Sequence, residues 1–117
     1  ISASAGAHLA LVVTEPSQSG LHDLQRALGV LQHFHVKALV VINKADLYPQ
    51  GSKDIHQYAA AHEVDVIGEV PFDPAIVEAM VHGQPVTAYQ PEAVSAQALR
   101  GIWEKLAAQL RTEEVVR

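Results

Sequence analysis

The sequence predicts an α/β fold in which a parallel sheet is covered by helices in a three-layer arrangement. Three observations carry this. Short apolar runs rich in β-branched residues recur three times, each is followed by a stretch whose apolar residues fall at helical spacing, and roughly 20 residues separate one run from the next. That separation suits a crossover helix, which parallel strands need and antiparallel ones do not.

The first run, HLALVVT over residues 8–14, is apolar almost throughout, as in a strand buried on both faces. After the turn EPSQ, Leu21, Leu24, Leu28 and Leu31 mark a helix over residues 19–34 with Ser19 as its N-cap. VKALVVIN (36–43) is the second strand and ends abruptly in polar residues. A second helix over 52–63 places Ile55, Tyr58, Ala59 and His62 on one face, and VDVIGEV (64–70) is the third strand. Asp73 followed by Pro74 signals a third helix with Ile76, Val77, Met80 and Val81 facing inward, ending at Gly83. QPVTAYQPE reads as a loop, and residues 93–110 as a final helix buried through Leu99, Ile102, Trp103, Leu106 and Leu110, with TEEVVR frayed beyond it.

At 117 residues the chain is read as a single domain, residues 1–117. Its 49% hydrophobic and 18% charged content is that of a globular protein, and no apolar run approaches the roughly 20 residues of a membrane span. The formal charge of −5 argues against broad contact with nucleic acid, which needs a cationic face. Without cysteine the chain has no disulfide, thiolate nucleophile or cysteine ligand for an iron–sulfur cluster. It starts at Ile1 and passes from ISASAGA straight into a strand, so it reads as an excised piece of a longer protein.

In an open parallel sheet, ligands bind outside the carboxyl ends of the strands, where the following helices begin. Three polar clusters fall there: Thr14-Glu15-Pro16-Ser17, Asn43-Lys44-Ala45-Asp46 and Pro71-Phe72-Asp73. The second has the NKxD spelling of a base-recognition tetrad. An Asn amide offers a donor and an acceptor in one plane, matching a purine edge; a Lys stem can lie across the base; an Asp can accept from guanine N1 and N2. The candidate site residues are therefore Asn43, Lys44, Asp46, Pro71, Phe72, Asp73 and Glu15. Each also has a plain structural role available: Asn43 closing a turn, Asp73 capping a helix, Glu15 as a solvated turn residue. No catalytic residue and no metal site is predicted. His33 and His35 have HxH spacing but fall at a helix end, where they face terminal carbonyls, and Trp103 reads as core. A phosphate loop, GxxxxGK(S/T), is absent, and the chain contains no Gly-Lys pair.

The segments LALVVTEPSQSGLHDL, ALVVINKADL and VIGEVPFDPAIVEAMVHGQPV, in that order, resemble the C-terminal half of MinD/ParA/Mrp-type P-loop ATPases, closest to the subgroup with an inserted ferredoxin-like iron–sulfur segment. The resemblance runs over residues 8–110. It implies a partial P-loop NTPase fold in the order β-α-β-α-β-α-α, the Walker A half lying outside this chain. It further implies a cytoplasmic parent protein binding ATP with Mg and linked to iron–sulfur or electron-transfer chemistry, and a nucleotide-sandwich homodimer. Asn43 matches the residue that reads the adenine edge, Pro71-Phe72-Asp73 the segment bordering the base, and residues 15–23 the region near nucleotide and dimer partner. By the same resemblance the first strand loses its neighbour here, so self-association along that edge is expected, and the chain alone should not hydrolyse nucleotide. Two alternatives stand beside this reading: a GTPase of the related metallochaperone group, favoured by NKxD, and a non-catalytic α/β interaction module.

Overall fold

A computed structural model describes residues 9–116, with side chains described to residue 111; His8 and the ISASAGA lead lie outside the described residues. The strands β1 (Leu9–Thr14), β2 (Lys37–Asn43) and β3 (Asp65–Val70) form a parallel sheet in the order β1-β2-β3. Alternation along the strands divides the core. Ala10, Val12, Val40 and Ile42 meet Leu24, Leu28 and Leu31 of α1 (Gln18–His33) and Ile55 of α2 (Pro49–Ala61). Leu39, Val41, Ile67 and Val70 face the other way, onto Ile102 of α5 (Val94–Val116), with Ile76 of α3 (Pro74–Val81) alongside. The three layers are thus helix, sheet, helix, as the pattern predicts. β2 is buried on both faces from Leu39 to Ile42, which is why its sequence does not alternate. Each such aliphatic side chain contributes about 1.5–3 kcal/mol relative to exposure.

The helix starts differ from those predicted. The N-cap of α1 is Ser17, not Ser19: its Oγ accepts from Gly20 N at 2.9 Å, which starts the helix just after the buried Pro16. α2 begins at Pro49 rather than residue 52, because proline is well suited to the first helical position. Ser52 is instead buried, and its Oγ donates to Ala45 O at 2.6 Å. At the other ends, α1, α2 and α3 close in the same way, with a left-handed residue after the helix (His35, Glu63 and Gly83) and Val36, Val64 and Gln84 donating back to Leu31, Ala59 and Ala79.

The inward faces of α3 and α5 also need correction. Val77, Met80 and Val81 are exposed; Ala75 and Ala79 are the buried positions, packed with Ala96 and Val86. The close approach of α5 and of a short extra helix, α4 (Val86–Tyr89), selects the small-residue face of α3. α4 lies within the stretch expected to be a loop. On α5, Ile102 is buried while Leu99, Trp103 and Leu110 are exposed, so Trp103 is not core. The helix runs on through Val116 rather than fraying after residue 110. Gly68 of β3 permits the close seat of Ile102, since a Cβ there would collide with the Ile102 side chain.

Candidate functional site

Because the sheet is parallel, the three predicted clusters do share one edge, and they are tied to one another. Thr14, buried at the end of β1, donates its hydroxyl to Gly20 O at 3.0 Å and so holds the turn into α1. Lys44 Nζ lies 3.3 Å from Glu15 Oε1, bridging the ends of β1 and β2; both side chains are about half exposed. An ion pair that open to water adds little stability, on the order of 0–1 kcal/mol, but it places two candidate residues side by side.

Asn43 is partly buried, and its Oδ1 accepts from the backbone N–H of Lys44 at 3.1 Å. Lys44 has a left-handed backbone, φ 54°, unusual for a residue with a Cβ, and the Asn43 bond supports that turn. The turn-closing role is therefore present. The Asn43 Nδ2 has no partner among the described residues and is not fully buried, so the amide retains its donor and a second lone pair on its acceptor.

The ends of β2 and β3 are joined twice. Ala45 N donates to Val70 O at 3.0 Å, and Phe72 N donates to Asp46 Oδ1 at 2.8 Å. Phe72 itself is 48% exposed, an aromatic ring at the same edge as Asn43. Pro71 between them has no N–H to give.

Asp73 faces away from this edge toward α5. Its Oδ1 accepts from Ala75 N at 3.0 Å as the N-cap of α3. Its Oδ2 accepts from Ser95 N at 3.1 Å and from Ser95 Oγ at 2.7 Å, so one carboxylate serves the first turns of both α3 and α5. These bonds, led by that from Ala75 and followed by those from the Ser95 hydroxyl and amide, hold the Asp73 carboxyl below its usual range; burial opposes them weakly. Sequence reading finds the α3 cap but not Ser95. A partner 22 residues away on another helix leaves no local signal.

Beside this edge, Pro16, Ser17, Leu21, Tyr48, Gly51 and Asp54 line a cavity of about 350 Å³ between the starts of α1 and α2. The backbone of Gly51 abuts the Pro16 carbonyl too closely for a Cβ. Among the described residues no three His, Asp or Glu side chains are grouped to hold a metal ion. His56 and Glu69 pair at 2.7 Å on the surface between α2 and β3. No helix among the described residues is long and apolar enough to cross a membrane.

The fold is that of a P-loop NTPase-type α/β protein of the MinD/ParA class. The chain belongs to the ParA family in the form described as NUBPL iron-transfer P-loop NTPase, whose model matches residues 1–107. It is 30% identical over 114 residues to an iron-sulfur cluster carrier protein of Pyrococcus furiosus, covering 87% of this chain and 38% of that protein. A carrier of the same description from Aquifex aeolicus is 26% identical over 103 residues, 80% of this chain and 28% of its own length. Among solved structures, the Pyrococcus furiosus cell division ATPase MinD superposes with a TM-score of 0.72 at 29% identity, covering 87% of this chain and 43% of MinD. Pyrococcus horikoshii MinD, complexed with Mg-ADP, gives 0.70 at 27% identity, covering 85% and 41%. The chain therefore spans about a third of these carriers and under half of either MinD.

Proposed function

We propose that residues 1–117 are the base-binding, C-terminal part of a P-loop NTPase domain, and that the full-length protein is an ATP-binding protein acting in iron–sulfur chemistry. The observation that carries the base-binding reading is Asn43: its oxygen is anchored by Lys44 N while its Nδ2 has no partner among the described residues, at the strand-end edge where Phe72 exposes an aromatic face. The residues present fit a nucleobase. They do not fit a triphosphate, since the chain has no phosphate loop to cradle it. ATP with Mg therefore belongs to the full-length protein, as does any iron–sulfur cluster, whose thiolate ligands a cysteine-free chain does not supply. The iron–sulfur reading rests on the names of the carrier relatives.

The test is an ATP titration of the full-length protein with Asn43→Asp, which keeps the acceptor for Lys44 N and removes the Nδ2 donors. Loss of a base contact predicts weakening by about fivefold to 150-fold, the range of roughly 1–3 kcal/mol. Unchanged affinity refutes the base reading and leaves the interaction-module alternative. ATP–GTP competition on the same protein separates the ATPase reading from the metallochaperone-type GTPase, which tighter GTP binding selects. We further propose that the 117-residue chain on its own self-associates through β1, whose outer edge has no partner among the described residues. A strictly monomeric species by light scattering at high concentration counts against it. A cytoplasmic site of action follows the Drosophila grimshawi relative, named a cytosolic Fe-S cluster assembly factor, and recovery of the protein solely from another compartment on cell fractionation refutes it.

A further inference from the structure

We propose that Asp46, despite its place in the NKxD spelling, is a positioning residue that replaces a main-chain rung of the β2–β3 ladder and does not select guanine. The inference rests on the base-binding reading of Asn43. In a parallel pair, a residue whose N–H bonds to one position of its neighbour strand returns its C=O to the N–H two positions further on. Ala45 N donates to Val70 O at 3.0 Å, so the rung that should follow runs from Phe72 N to Ala45 O. It is missing: Ala45 O accepts from the buried Ser52 hydroxyl at 2.6 Å, and Phe72 N does not reach it. Phe72 N is the next donor after Pro71, which has none, and the Asp46 carboxylate takes it at 2.8 Å, a length typical of a charge-assisted bond.

Selecting guanine requires the carboxylate to be turned to N1–H and N2–H of the base, whereas Asp46 turns Oδ1 to the Phe72 amide of its own backbone. The same bond determines where the main chain of Phe72 lies relative to the Asn43 loop. Asp46 thus acts on base binding through the placement of Phe72, equally for adenine and guanine.

An Asn at this position keeps an oxygen acceptor for Phe72 N but loses the charge and one acceptor that guanine would need, whereas Ala loses the rung altogether. The experiment compares Asp46→Asn and Asp46→Ala in the full-length protein by ATP and GTP titration and by amide hydrogen exchange at Phe72. Asp46→Asn is expected to leave the ATP:GTP affinity ratio unchanged within about twofold, with Phe72 still protected. Asp46→Ala is expected to weaken both nucleotides together, about threefold to tenfold for one lost hydrogen bond, with Phe72 exchanging faster. A loss of GTP relative to ATP in Asp46→Asn overturns the proposal. So does a Phe72 amide that exchanges freely in the unsubstituted protein, a measurement that needs neither nucleotide nor a folded alanine variant. Failure of the base reading itself shows separately, as an Asn43→Asp protein that binds ATP normally.

Discussion

Gly68→Ala should destabilise the protein through one identifiable collision. A Cβ built at this position meets Cγ1 and Cδ1 of Ile102, a residue only 8% exposed, where β3 and α5 press together. The backbone at Gly68 is not left-handed, so alanine brings no conformational strain; by restricting the unfolded chain it even returns about 0.4–1 kcal/mol. Overpacking of this kind costs roughly 1–3 kcal/mol, leaving a net loss of up to about 2.6 kcal/mol. Ile102→Ala alone opens a cavity at a cost of roughly 2–5 kcal/mol. Combined, the new methyl occupies space vacated by the isoleucine, so the double variant should be less destabilised than the sum by about 1–3 kcal/mol. Urea denaturation of the four proteins, followed by far-ultraviolet circular dichroism, measures this. Additivity within about 0.5 kcal/mol would refute the assignment of Gly68 as the seat of Ile102.

Three other outcomes are expected. His35→Gly and Glu63→Gly, which relieve left-handed backbones at the ends of α1 and α2, should each stabilise by roughly 0.5–1 kcal/mol in the same denaturation assay, and destabilisation by either would contradict the helix-end geometry. Because the folded-state carboxyl of Asp73 lies below its unfolded value, its contribution is complete above roughly pH 3.9 and is lost as the pH falls through the folded value; unfolding measured against pH should show this acid loss diminished in Ser95→Ala, and an unaltered profile would remove Ser95 from the cause. The 117-residue chain alone should bind ATP no tighter than about millimolar, since phosphate contacts supply most nucleotide affinity and their loop is absent; a micromolar constant by calorimetry would disprove this.

What could be read from the sequence follows the range of the interactions. The three strands and the faces of α1 and α2 were legible because periodicity is a local property, and Leu24, Leu28, Leu31 and Ile55 are all buried as spaced. Asp73 was legible as a cap because Asp-Pro is a local signal. The roles of Asp46 and Ser95 were not, as each acts through a partner 22 or 26 residues distant. Spacing also identifies an apolar face without saying what covers it. Val77, Met80, Leu99 and Trp103 sit at helical intervals, yet the neighbouring helices cover other faces.

Asp73 carries a consequence beyond stability. With one carboxylate holding the first turns of α3 and α5, those turns share a single pivot, and that pivot is the residue adjoining Phe72. The 23-residue α5 is thus fastened at its root to the same carboxylate that caps α3. The long helix therefore starts from a fixed point one residue away from the exposed Phe72 ring, with the Asp73–Ser95 contact as its anchor.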